Sequence, residues 1–126
     1  MGLDAPVESV MRRPPVTVLF SDTVSSVAEK MVASNVGAVI VMSGGAPAGI
    51  VTERDIVEKA VRDRKDPNKT QAHEIMSSPV VSIDAEKSVR DALKIMRDKE
   101  IGRFAVTKGG RLVGVVTERR LLDSLI

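Results

Sequence analysis

The sequence contains no cysteine, tryptophan or tyrosine, and among its 126 residues it has two phenylalanines, Phe20 and Phe104, and one histidine, His73. Without cysteine, disulfides and thiolate metal sites are excluded, and a single histidine leaves little for zinc or haem, so no metal site is expected. So few aromatic rings cannot build a base-stacking platform. His73 stands beside Glu74 with no serine or cysteine nucleophile pattern around it. It reads as a surface residue of a linker, and no catalytic residue is assigned.

Charge of one sign is also lacking. Nineteen basic and 17 acidic side chains leave a net charge of +2, and the two signs are interspersed. No basic run exists to follow a phosphate backbone, which disfavours nucleic acid as a partner. Long apolar runs are missing too. The stretch from Val36 to Met42 has the length of a strand, not of a membrane span, and Met1 to Val10 lacks the basic and apolar regions of a signal peptide. These absences point to a cytoplasmic protein with no membrane insertion.

What is present is a repetition. Gly49-Ile50-Val51-Thr52-Glu53-Arg54-Asp55 returns 65 positions later as Gly114-Val115-Val116-Thr117-Glu118-Arg119-Arg120. The same offset lays Met11 over Met76, Pro14 over Pro79, Met31 over Met96 and Gly44-Gly45 over Gly109-Gly110, with 14 of 55 pairs identical between 7–61 and 72–126. A gapless match of this kind is the mark of a duplicated structural unit. Each half is too small to be comfortable alone, so the two are expected to share one core. The boundaries expected are repeat 1 at 1–64, a linker at 65–70 and repeat 2 at 71–126, the linker being marked by its charge, proline and asparagine.

Within each repeat the elements follow in the same order. A proline-led turn runs into the short strand Val16-Thr17-Val18, or Val81-Ser82-Ile83. Val24, Val27, Ala28 and Met31, matched by Val89, Ala92, Leu93 and Met96, recur at helical spacing behind the caps Thr23 and Ser88. Two apolar strands around a Gly-Gly turn predict a hairpin, and a closing amphipathic helix follows Thr52 or Thr117.

Strand, helix, strand, strand, helix, twice, with Gly-h-h-Thr-x-x-Asp (h, apolar) at the last corner, resembles the CBS domain family, named for cystathionine β-synthase, in its tandem form, the Bateman module. The resemblance covers nearly the whole chain. It implies an α+β (α/β) fold of two β-α-β-β-α repeats packed sheet to sheet about a pseudo-twofold axis, with clefts for adenosine-containing ligands. It implies a regulatory module, not an enzyme, that binds an adenine nucleotide such as AMP, ADP or ATP, and it implies a homodimer. Such pairs are usually attached to enzymes, channels or transporters, and because nothing in this sequence resembles an output domain, action in trans on a protein partner, or by self-association, is expected. S-adenosylmethionine and NAD(H) share adenosine and belong to the same family of ligands. A ligand-free dimerisation scaffold is the rival reading.

By family precedent Thr52 and Asp55 would take the ribose hydroxyls, and Val16, Thr17 and Val18 would line the adenine. The acid parallels the ribose-binding carboxylate of dinucleotide folds. The alternative stays open that Thr52-x-x-Asp55 is simply a capping box at a helix start. In repeat 2 Arg120 replaces the acid. Arg103, Arg119 and Arg120 are then the cations expected to meet phosphate, with repeat 1 supplying the acid for the ribose of one nucleotide spanning both repeats. The closing helices carry apolar stripes and the sequence ends on Leu121-Leu122-Asp123-Ser124-Leu125-Ile126, which independently favours self-association.

Overall fold

A computed structural model describes residues 2–126. The chain forms two compact units, each built on its own three-stranded sheet. The first unit is Val16–Val80, and the second combines the segment up to Pro15 with Val81–Ile126.

In the first unit, β1 (Thr17–Leu19) runs parallel to β2 (Ala38–Ser43), and β2 pairs antiparallel with β3 (Ala46–Thr52). The helix α1 (Val24–Ser34) makes the crossover between the parallel strands. It starts where the Thr23 hydroxyl accepts from the Ser26 amide, and it stops at Asn35 in the left-handed conformation. Gly44 and Gly45 close the hairpin at φ of 58° and 81°, which a side chain would disfavour. Beyond Thr52, α2 (Glu53–Ile56) passes into a π-helical turn at Val57–Val61. Val18, Val27, Met31, Val39, Val41 and Val51 form the core between sheet and helices.

The second unit repeats the plan. β4 (Ser82–Asp84) runs parallel to β5 (Arg103–Lys108), which pairs antiparallel with β6 (Arg111–Thr117). Helix α4 (Val89–Lys99) ends at Glu100, again left-handed, and α5 (Glu118–Asp123) follows Thr117. Phe104, Val106, Val116, Met96 and Leu121 fill the core. The short strands lie one residue later than the Val-led triplets suggest, at 17–19 and 82–84, because pairing with Ile40–Met42 and Ala105–Thr107 sets the register.

The cut between the units differs from the cut between the sequence repeats. The leading turn of repeat 2, with α3 (Ala72–Ile75), belongs to the first unit, where Ala72 and Ile75 enter the core. Its Ser77 exchanges two backbone hydrogen bonds with Ile50 of β3, at 2.9 and 3.0 Å. The leading turn of repeat 1 does the same in the second unit: Val7, Val10 and Met11 join that core, and Arg12 exchanges two bonds with Val115 of β6. Burial decides the assignment, since an apolar turn is retained by the core that covers it.

The segment 65–70 is likewise part of the first unit. Val24 N–H donates to the Thr70 carbonyl, Ser25 N–H to Pro67, and the Ser25 hydroxyl to Asn68 Oδ1. His73 is half-buried rather than a loose surface residue. Its ring stacks on Phe20 with centroids 4.3 Å apart, and its Nε2 lies 2.8 Å from Gln71 Oε1. Among the described residues no helix is long and apolar enough to cross a membrane.

Candidate ligand corner and its relatives

The strand-to-helix corner of the first unit gathers Thr52 and Asp55. Thr52 is extended at φ −109° and ψ 166°, so the chain turns into α2 with its first amides lacking helical acceptors. The Thr52 hydroxyl accepts from the Asp55 amide at 3.1 Å, while Asp55 Oδ2 accepts from the Thr52 amide at 2.9 Å. This is the reciprocal capping box that the spacing allows. The Thr52 hydroxyl also donates to Oδ2, at 3.1 Å.

The second carboxylate oxygen faces side chains. Lys59 Nζ is 3.1 Å from Asp55 Oδ1, and the Ser77 hydroxyl donates to it at 3.4 Å. Asp55 is only 8% exposed, so these donors offset most of the cost of removing an anion from water. Lys59 reaches further, to the Ile75 carbonyl at 3.4 Å and the Ser77 hydroxyl at 3.5 Å. Lys59 and Ser77 escaped the sequence reading. The signal available was the i,i+4 spacing of Asp55 and Lys59, the spacing of an ordinary helix-surface ion pair.

Of the segment assigned to adenine, Val18 is buried in the core and Val16 packs against its edge. Thr17 alternates to the other face of β1, and its carbonyl accepts from Lys30 Nζ. Thr52, Asp55 and Val16–Val18 therefore all belong to the first unit, whereas the three arginines belong to the second. Arg103 opens β5 opposite Thr117, and Arg119 lies in α5, both exposed and, among the described residues, without a side-chain partner for the guanidinium. Arg120 is engaged: its Nε donates to the Val10 carbonyl, and its amide donates to the Thr117 hydroxyl at 3.1 Å.

The first unit also carries a groove of about 600 Å³ between α1 and α2, lined by Met31, Val32, Gly37, Glu53 and Val57 among others. Asp55 is not part of its lining, so the groove and the acidic corner are separate features. No group of three or more His, Asp or Glu among the described residues is placed to hold a metal ion.

Comparison with known proteins agrees with this architecture. An uncharacterised protein of Methanopyrus kandleri is 36% identical over 119 residues, covering 93% of this chain and 61% of its own length. A CBS domain-containing protein of Bacillus subtilis is 32% identical over 110 residues, covering 87% of this chain and 78% of its own length. The chain thus spans about three fifths of the archaeal relative. Among solved structures, the hexameric CBS-CP12 protein of bloom-forming cyanobacteria superposes with a TM-score of 0.89 at 28% identity, over 98% of this chain and 70% of that one. Residues 7–62 and 72–126 each match the CBS domain. A pair of such domains is a regulatory ligand-binding module, and no enzyme family is indicated. On the two matched repeats and the two β-α-β-β-α units that carry them, this chain belongs to the CBS domain family.

Proposed function

We propose that the chain is a sensor of an adenine nucleotide, AMP, ADP or ATP, that it catalyses no reaction, and that a separate protein reads its state. The observation that carries this reading is Asp55. Its carboxylate is nearly buried, yet one oxygen is held only by the side chains of Lys59 and Ser77, groups that a ribose diol can replace. Thr52 fixes the other oxygen, so the acid is oriented before any ligand arrives. Val16–Val18 are the proposed neighbours of the adenine, chiefly through backbone and Thr17 because Val18 serves the core. Arg103 and Arg119 are the proposed phosphate cations, with Arg120 restricted to the guanidinium nitrogens that Val10 does not use.

Calorimetric titration of AMP, ADP, ATP, adenosine, NAD and S-adenosylmethionine tests the reading. Micromolar binding of a phosphorylated ligand, weakened about ten- to a hundredfold by Asp55→Ala, is the expected result. Equal affinity in the variant sinks the ribose assignment. Arg103→Ala should weaken AMP and ADP while leaving adenosine unchanged, and equal losses for all three would remove its phosphate role.

The full occupation of Asp55 also favours a second reading, a scaffold in which the corner is only a helix cap. Silence across the ligand panel would select it. Both readings include self-association, for which the exposed apolar helix face of the first unit and the hexameric state of the CBS-CP12 relative are the supports.

A further inference from the structure

The two units grip the same carbonyl with different cations. In the first unit Lys59 Nζ reaches the carbonyl of Ile75; in the second, Arg120 Nε reaches that of Val10. Ile75 and Val10 are equivalent under the 65-residue offset, as are Asp55 and Arg120, and Lys59 and Ser124. Two residues of the first unit, an acid and a lysine one turn later, are thus replaced in the second by one arginine and a serine.

We propose that this cation is a clamp holding each leading turn to its sheet, and that in the first unit alone the clamp is coupled to ligand occupancy. The coupling rests on the nucleotide reading given above. The clamped segment is Ile75–Ser77, whose Ser77 is paired with Ile50 by two backbone bonds. Lys59 bridges this segment to Asp55, so the lysine is shared between the turn and the acid proposed to receive the ribose. Ser77 is shared in the same way, its hydroxyl donating to Asp55 Oδ1.

A diol donating to Oδ1 competes with both donors. Whatever ligand gains at Asp55 is therefore lost in part from the anchoring of Ile75–Ser77, and a ligand shifts such an equilibrium only through this kind of differential contact. In the second unit no acid stands between the cation and the carbonyl. Arg120 holds Val10 directly, beside the backbone pairing of Arg12 with Val115. The replacement of Asp55 and Lys59 by Arg120 and Ser124 thus turns a releasable clamp into a fixed one.

Amide hydrogen exchange on the intact chain reads this directly. Lys59→Met should accelerate exchange at Ile50 and Ser77 on the order of fivefold and leave Arg12 and Val115 unchanged, whereas Lys59→Arg, which keeps a donor for Ile75, should retain protection. Arg120→Ala should give the mirror result. Saturating AMP should loosen Ile50 and Ser77 in the wild type, and Lys59→Met should bind AMP more tightly, again about fivefold, since a competitor for Asp55 has gone. Unchanged exchange in Lys59→Met overturns the clamp. Weaker AMP binding in that variant, or AMP binding with no change at Ile50 and Ser77, overturns the coupling. If AMP fails to bind the wild type, the nucleotide reading and the coupling fall together, while the exchange of the variants still decides the clamp.

Discussion

Met76 lies directly under Gly49. A β-carbon built on Gly49 would stand 2.6 Å from Met76 Sδ and 2.8 Å from the Ser77 carbonyl oxygen, and one built on Gly114 would stand 2.5 Å from Met11 Sδ and 2.8 Å from the Arg12 carbonyl oxygen. The glycine that opens each strand-to-helix motif is thus required by the leading turn that crosses it. The methionine can move, but the carbonyl is held by its bonds to Ile50 or Val115.

Gly49→Ala and Gly114→Ala should each destabilise the fold by about 1–3 kcal/mol, the usual cost of overpacking against a fixed backbone. Gly102→Ala is the control, since nothing lies within 4 Å of its added carbon. Urea denaturation of the three variants checks this. Equal midpoints for Gly49→Ala and Gly102→Ala would show that the Ser77 carbonyl yields.

The capping box predicts a stability effect separate from any ligand. Asp55→Ala removes the acceptor of the Thr52 amide and leaves Lys59 and Ser77 without their shared anion, so a loss of about 1–2 kcal/mol is expected. Asp55→Asn should lose less, because its amide oxygen still accepts from Thr52. The corner of the second unit shows the reduced state: Thr117 receives the Arg120 amide, and no carboxylate returns to the Thr117 amide. Denaturation in the absence of nucleotide measures the difference, and an Asp55→Ala protein as stable as wild type would refute the structural part of the role.

The repeating parts of this molecule were legible because their signals are local. Helical spacing behind Thr23 and Ser88, the Gly-Gly hairpins and the Thr-led corners each specify their own backbone, and the structure has them in the expected order. The short β1 and β4 were displaced by a residue, since pairing partners outside the segment decide register. What could not be seen was the destination of the leading turns. A boundary at 65–70 follows the composition, but Ile75 and Val10 are apolar residues whose covering core lies elsewhere in the chain. Lys59 and Ser77 were hidden for the same reason. A lysine four residues after an acid is common on any helix, and only the fold brings Ser77 to the pair.

Arg54 and Glu58 offer a contrast in pH dependence. The Arg54 guanidinium, hydrogen-bonded to Glu58, holds that carboxyl below the ordinary glutamate value, and the same hydrogen bond to the Glu58 carboxylate raises the arginine above its own. A carboxyl whose folded value is lowered contributes stability above its ordinary value and loses it as the pH falls through the lowered one. Here the contribution should be below detection, because the pair is solvated, with the Arg54 side chain 84% exposed, and the arginine precedes the glutamate, the less favourable order on a helix. Glu58→Gln should leave the melting temperature unchanged at neutral pH and on acidification. A clear drop confined to pH above the glutamate range would mean that the exposed pair carries stability after all.

The helix face of the first unit predicts the assembly state. Val32, Val57 and Val61 are 82%, 59% and 69% exposed, and the first two flank the groove between α1 and α2. At the equivalent positions the second unit has Arg97, Leu122 and Ile126, so the set of three apolar side chains is confined to the first. Each valine withdrawn from water contributes about 1 kcal/mol or more, and a symmetric contact counts every residue twice. Light scattering should therefore find wild-type particles heavier than the 13.5 kDa chain, and Val32→Glu or Val57→Asp should return them to that mass. Leu19→Ser, altering a side chain 60% exposed at the end of β1, should have no effect. A wild type that stays at 13.5 kDa, or charge variants that stay assembled, would move the contact away from this face.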